Sequence, residues 1–254
     1  MNISLTGKAV EAGRNDGGSV RVSKRLIDLR GMPGYVQRMS TFPSRLLEGY
    51  KTFMSGRYTA ERQRYRDLAE TGQEPHTLVI ACCDSRAAPE TIFDCGPGEL
   101  FVVRNVANLV PPYAPDSNYH ATSAALEFAV QSLKIRQIVV MGHGRCGGIK
   151  AALDPNAAPL SPGDFIGQWM GLLKPAAQQI QDSQLLTSGE RQIALERISI
   201  RNSMANLRTF PCVKILEDRG SMVISGAWFD ISTGELWVMD PKTGDFFRPE
   251  PAEA

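Results

Sequence analysis

The chain has 254 residues, 43% of them hydrophobic and 22% charged, with a formal net charge of +1. That length buries a full core as one domain, and the near-neutral balance gives no reason to expect nucleic acid or an acidic surface as partner. No apolar run approaches the roughly 18 residues of a membrane span, residues 1–28 hold no apolar stretch of a secretory leader, and five cysteines, an odd number, argue against a disulfide framework and for a reducing, cytoplasmic setting.

Residues 1–42 read as an arm, partly disordered or embracing a second copy of the chain, and residues 43–254 as the folded domain. Gly13 to Gly18 is polar and glycine-rich. Arg21 to Arg30 is a candidate short helix, closed by Gly31-Met32-Pro33-Gly34. Pro43 to Arg57 reads as an amphipathic helix with Leu46, Leu47, Tyr50 and Phe53 on one side. Thr59 is the expected N-cap of a second helix that ends near Gly72.

Leu78 to Arg86 reads LVIACCDSR, an apolar run that stops abruptly in thiols, a carboxylate and a guanidinium. Thr77 to Cys82 is therefore a buried parallel strand. Pro89 opens a short helix, Glu90 to Phe93. Glu99 to Asn105 is the second strand, and a proline-rich loop follows it. Ala121 to Leu133 is a helix and Gln137 to Met141 the third strand. Further helices are expected at Gly147 to Leu153, Phe165 to Leu173, Ala176 to Leu186 and Glu190 to Thr209, the last with a Thr187/Glu190 capping box. Ser221 to Phe229 and Glu235 to Met239 form an antiparallel edge pair around Ser232-Thr233-Gly234. This alternation predicts an α/β fold with a mainly parallel central sheet, helices on both faces and an antiparallel edge.

Ligands in such sheets sit beyond the carboxyl ends of the strands. The first strand delivers Cys82 there. The third ends in a glycine-rich turn, GHGRCGG, which delivers His143 and Cys146. Two sulfurs and an imidazole suffice for a three-ligand zinc site with a fourth position open. Cys83 should point the other way and be a buried thiol. Asp84 and Arg86 share the side of Cys82 by strand alternation. Asp84 could accept a hydrogen bond from water on the metal or close onto the metal itself, and a bidentate pair with Arg86 would hold it off. The glycine-rich turn lacks the spacing of a nucleotide-binding loop.

Cys-x-Asp-x-Arg at 82–86, Gly-His-x-x-Cys-Gly-Gly at 142–148 and GPGELFVVRNVAN at 96–108 together resemble the plant-like branch of the β-class carbonic anhydrases, over roughly residues 43–240. The resemblance implies reversible hydration of CO₂ to bicarbonate on one Zn²⁺ per chain, held by Cys82, His143 and Cys146. Asp84 and Arg86 would be the catalytic dyad. Gln73 would hydrogen-bond substrate, beside Phe101, Val106, Phe128 and Gly147 in the pocket. Phe128 replaces the branch's usual tyrosine. The resemblance also implies a homodimer, or a tetramer or larger assembly, with each pocket finished by the partner. Val79 stands where another branch carries the tryptophan of an inhibitory bicarbonate site, so none is expected. Two thiolates cancel zinc's double charge, so activity should climb from neutral to alkaline pH. His120 is the one uncommitted histidine near the pocket rim and a candidate for passing the proton to solvent. Hydrolysis of carbonyl sulfide or carbon disulfide, or zinc binding without catalysis, would be alternatives on the same fold.

Overall fold

In the computed structural model, which describes residues 41–116 and 118–249, β1 spans Thr77–Cys82, β2 Leu100–Asn105, β3 Gln137–His143, β4 Val223–Phe229, β5 Leu236–Met239 and β6 Phe246–Phe247. The sheet order is β2-β1-β3-β4-β5-β6. The first four strands run parallel, and β5 and β6 complete an antiparallel edge. The arm expected over residues 1–42 lies almost wholly outside the described residues, as does its helix at Arg21 to Arg30.

Residues of one strand alternate between two faces, and the burial follows that alternation. Leu78, Ile80, Ile138, Val140 and Ile224 pack on one face against Leu126, Ile200, Met204, Leu207 and Val213. Each fully buried Leu or Ile in such a layer stabilises the fold by about 1.5–3 kcal/mol. Those partners come from α4 (Ala121–Glu127), α8 (Ser188–Leu207) and α9 (Pro211–Asp218). The other face, Val79, Ala81, Met141 and Ala227, is covered by Ile92 and Phe93, from α3 (Pro89–Ile92) and its C-cap.

The helix α8 lies close on β3 and β4 because both strands carry a glycine beneath it. A Cβ on Gly142 would sit 2.9 Å from Ile200 Cδ1, and one on Gly226 2.9 Å from Ile200 Cγ2. The Thr187/Glu190 capping box that starts α8 is formed on both sides. A third apolar cluster, with Cys82, Cys146, Ile149, Met170, Leu173 and Leu195, gathers α5 (Gly147–Ala152), α6 (Phe165–Met170) and α7 (Lys174–Asp182) at the carboxyl end of the sheet.

Several elements differ from the sequence reading. The helix expected to run from Ala121 to Leu133 widens after Glu127, where Leu133 N–H donates to Phe128 O, five residues back. Such wide turns accommodate one extra residue in a helix. The helix α9 is additional, with Pro211 at its first position. The strand β6 is additional too. Its turn repeats the chemistry of the β4–β5 turn: Asp230 and Asp240 each accept a backbone N–H from the glycine four residues on, at 2.8 Å.

The described residues fall into two compact units that divide between Ala60 and Glu61. In the first, α1 (Ser44–Ser55) buries none of its residues, and Leu46, Tyr50 and Met54 are exposed at four-residue spacing on one side. The following helix, α2 (Arg57–Thr71), starts before Thr59. Thr59 is therefore not the expected cap: Gly56 interrupts α1 and the chain re-enters the helix at once, so the Thr59 hydroxyl donates to Met54 O at 2.8 Å instead. Among the described residues, no helix is long and apolar enough to cross a membrane.

Candidate metal centre

β1 and β3 are parallel neighbours with Ala81 beside Met141, so their apolar runs end at the same edge of the sheet. Cys82 is the last residue of β1 and His143 the last of β3. The turn after β3 then reverses through Arg145, at φ +57°, and sets Cys146 at the start of α5. One ligand atom from each of Cys82, His143 and Cys146 lies within 4.8 Å of the others, and the two sulfurs are 3.9 Å apart.

His143 is oriented for a cation. Its Nδ1 lies 2.9 Å from Gly144 O. A carbonyl only accepts, so Nδ1 carries a proton and Nε2 is the ring nitrogen left to meet a cation. That Nε2 is buried without a hydrogen-bond partner, which costs about 1–3 kcal/mol unless something binds it. Two adjacent sulfurs complete a donor set suited to Zn²⁺. These three residues fit one zinc ion per chain.

The two thiols share their protons unequally. The contact with Cys146 pushes Cys82 down to about 4 against the opposing effect of burial, and the Ala107 N–H adds to the shift. The same contact and burial push Cys146 up. The Ala107 N–H donates to Cys82 Sγ at 3.4 Å from a residue held at φ +63°. Asn105 clamps that turn: its side chain donates to Leu109 O and accepts from Leu109 N–H, both at 2.8 Å.

Asp84 and Arg86 form the fork expected of them. Arg86 Nε donates to Asp84 Oδ1 at 2.9 Å and Nη2 to Oδ2 at 2.8 Å, while the Arg86 N–H adds a bond to Oδ1 at 3.0 Å. These donors hold the Asp84 carboxyl well below the usual carboxylate range. Asp84 Oδ2 stops 3.9 Å from His143 Nε2. The carboxylate thus flanks Cys82, His143 and Cys146, held by three N–H donors of Arg86 that leave it acceptor capacity to spare.

Two supporting residues carried no expectation from the sequence. Arg104 donates to Cys82 O at 2.9 Å and Asp84 O at 2.6 Å, which fixes the chain between ligand and dyad. Glu196, only 1% exposed, accepts from Cys146 N–H at 3.0 Å, Gln192 Nε2 at 3.1 Å and Trp228 Nε1 at 3.1 Å. Burial pushes its carboxyl up, and those donors oppose the shift. The signal for Arg104 was a charged side chain inside the apolar run LFVVRNVANLV. Glu196 looked like an ordinary helix residue. Glu196→Ala leaves two buried N–H donors without an acceptor, at about 1–3 kcal/mol each. Thermal denaturation should show Tm lower by roughly 5–15 °C, with Glu196→Gln closer to the parent because its amide oxygen still accepts.

Cys83 is exposed, not the buried thiol expected. β1 ends at Cys82, so strand alternation no longer turns position 83 toward a covered face. It lines a cleft of about 800 Å³ with Asn105, Val106, His120 and Trp169.

The residues expected to line the substrate pocket fall into two groups. Val106 and Gly147 are at the metal end. Trp169 Nε1 donates to Val106 O at 2.8 Å, and nothing lies within 4 Å of a Cβ built on Gly147. Gln73 precedes β1, and Phe101 pairs with Leu78, four residues before Cys82. At about 3.3 Å per residue that is roughly 13 Å down the strand. Phe128, 49% exposed, stacks on Phe101 with ring centroids 6.0 Å apart. Within one chain, Gln73, Phe101 and Phe128 therefore stand toward the amino end of the sheet, away from Cys82, His143 and Cys146.

A parallel sheet whose strand ends present two thiols, a bare imidazole nitrogen and an Asp–Arg fork defines a zinc-dependent enzyme of the α/β class. The family model for carbonic anhydrase matches residues 77–236. Beta carbonic anhydrase 3 of Arabidopsis thaliana is 36% identical over 209 residues, 80% of this chain and 80% of that one. The structure of the β-carbonic anhydrase CcaA matches with a TM-score of 0.76 at 30% identity, covering 82% of this chain and 92% of that chain. One of two tetrameric β-carbonic anhydrases from Sordaria macrospora matches at 0.66 and 27% identity, over 80% of this chain and 98% of that chain. The chain belongs to the β-carbonic anhydrase family. It is a carbonic anhydrase, an enzyme that interconverts CO₂ and bicarbonate with zinc as cofactor.

Proposed function

We propose that Cys82, His143 and Cys146 hold the zinc, that Asp84 and Arg86 are the catalytic dyad, and that the enzyme works as a cytoplasmic homodimer. The observation that carries this reading is the bare, buried Nε2 of His143 beside two sulfurs and an ionised carboxylate. Zinc, when bound, would supply the Lewis acidity that lowers the pKa of water and makes it a nucleophile. Asp84 accepts a hydrogen bond from the reacting water, and so orients that water with an oxygen lone pair toward carbon. Arg86 keeps Asp84 ionised and off the metal. Val106, held by Trp169, gives CO₂ an apolar wall.

Gln73, Phe101 and Phe128 serve the pocket of a second copy, and their distance from the metal ligands of their own chain supports this. The exposed stripe of Leu46, Tyr50 and Met54 on α1 supports pairing, with residues 1–42 as an arm to the partner. Five free cysteines support a reducing compartment.

Mixed dimers test both parts. Gln73→Ala and Cys82→Ser chains should each be impaired alone. Co-assembled, they should recover CO₂ hydration, because one pocket then joins an intact metal site to an intact Gln73 from the partner. No recovery in verified mixed dimers would place Gln73 in its own chain's pocket or outside catalysis.

A further inference from the structure

Hydration of CO₂ forms one C–O bond to a water oxygen and breaks one O–H bond, so each turnover leaves a proton that must reach bulk buffer. Imidazole is the side chain that accepts and releases protons readily near neutral pH. The chain has three histidines. His143 is buried among the metal ligands. His76 precedes β1 at the far end of the sheet, where its carbonyl accepts from Arg136 and Gln137 N–H. His120 remains, and it lines the cleft that begins one residue from Cys82, with Cys83, Asn105 and Val106.

Residues that line the cleft also border the metal centre. Asn105 pairs with Cys82 across the sheet. Its side chain donates to Thr122 Oγ1 at 3.3 Å, two residues beyond His120. Val106 precedes the Ala107 N–H that reaches Cys82 Sγ.

His120 is also prepared for proton transfer. Its Nε2 lies 2.7 Å from Asp116 Oδ1. Asp116 is oriented in turn by Asn118, through N–H at 2.7 Å and Nδ2 at 3.0 Å. The contact with His120, aided by Asn118, holds the Asp116 carboxyl below its usual range. An ionised carboxylate only accepts, so Nε2 keeps its proton and Nδ1 is the free acceptor. The ring is half-buried, its side chain 37% exposed, and so in contact with both cleft and solvent.

We propose that His120, oriented by Asp116, carries the proton of CO₂ hydration from the metal-site cleft to bulk buffer. The proton enters at Nδ1 through water in the cleft and leaves to a buffer base, with no change in oxidation state. This rests on CO₂ hydration at the Cys82–His143–Cys146 site, and it makes His120 a proton-transfer residue rather than one that touches substrate.

The test is stopped-flow CO₂ hydration by the zinc-loaded full chain over a range of buffer concentrations. In weak buffer His120→Ala should lower kcat by roughly tenfold or more and leave kcat/KM within about twofold, because only the proton-exit step is touched. Adding 1,2-dimethylimidazole, too crowded to be a good metal ligand, should restore kcat. Asp116→Asn should fall between His120→Ala and the parent. The proposal is overturned if His120→Ala matches the parent in the weakest buffer, or if kcat and kcat/KM fall together without rescue. An inactive zinc-loaded parent would instead overturn the assignment of the site.

Discussion

Asp84→Asn is expected to lower kcat/KM for CO₂ hydration by about a hundredfold or more with zinc still bound at one ion per chain. The substitution preserves shape and removes charge. Three N–H donors converge on the carboxylate from Arg86, at 2.8–3.0 Å. An amide answers them with only one oxygen, and its own N–H₂ would face a guanidinium donor. The fork therefore opens, and the side chain beside Cys82, His143 and Cys146 no longer offers an ionised, correctly aimed acceptor to the reacting water. Metal content separates this outcome from collapse of the site, because Asp84 is not among the three ligands. Retention of more than about half the activity would remove Asp84 from the mechanism.

Cys146→Ala is expected to abolish zinc binding and activity together. Loss of an outer partner of a metal ligand typically costs 10–100-fold in affinity or activity, and loss of a ligand should exceed about a hundredfold. The remaining pair, Cys82 and His143, cannot displace water from a cation as three donors do. Cys95→Ala is the matched control. Cys95 is only partly buried and approaches Phe93 O at 3.5 Å, far from the ligands in the chain. Zinc content and hydration rate should be unchanged in it. Zinc bound at full stoichiometry by Cys146→Ala would mean that the ion sits elsewhere.

Much of this was legible in the chain because the parallel strands are buried on both faces. Thr77 to Cys82 and Gln137 to Met141 read as strands because nearly every residue is apolar, and each stops where the chemistry begins. β3 runs two residues further than expected, through Gly142 and His143, because glycine in the run looked like the turn itself. The clustering of Cys82, His143 and Cys146 was legible because thiols and imidazole at strand ends have little other use. Glu196 was not, because one acidic residue in a helix gives no sign that it will be buried behind Cys146. β6 left a trace that was missed. The segments DISTGE at 230–235 and DPKTGD at 240–245 share a turn pattern ten residues apart, and both form the same aspartate-to-glycine turn. The helix α9 was hidden because only eight residues, from Pro211 to Asp218, separate two turns. Exposure of Cys83 depended on where β1 stops, which the alternation of side chains cannot supply. The placement of Gln73 and Phe128 away from the metal depends on register and connection, which are three-dimensional facts.

The most direct measurement is zinc content paired with stopped-flow CO₂ hydration on the full chain, before and after chelation and again after zinc is restored. One zinc per chain, activity that disappears with the metal and returns with it, and no recovery in His143→Ala would bear the account out. Full hydration activity in a chain stripped of zinc, or a fully zinc-loaded chain that leaves CO₂ untouched, would contradict it.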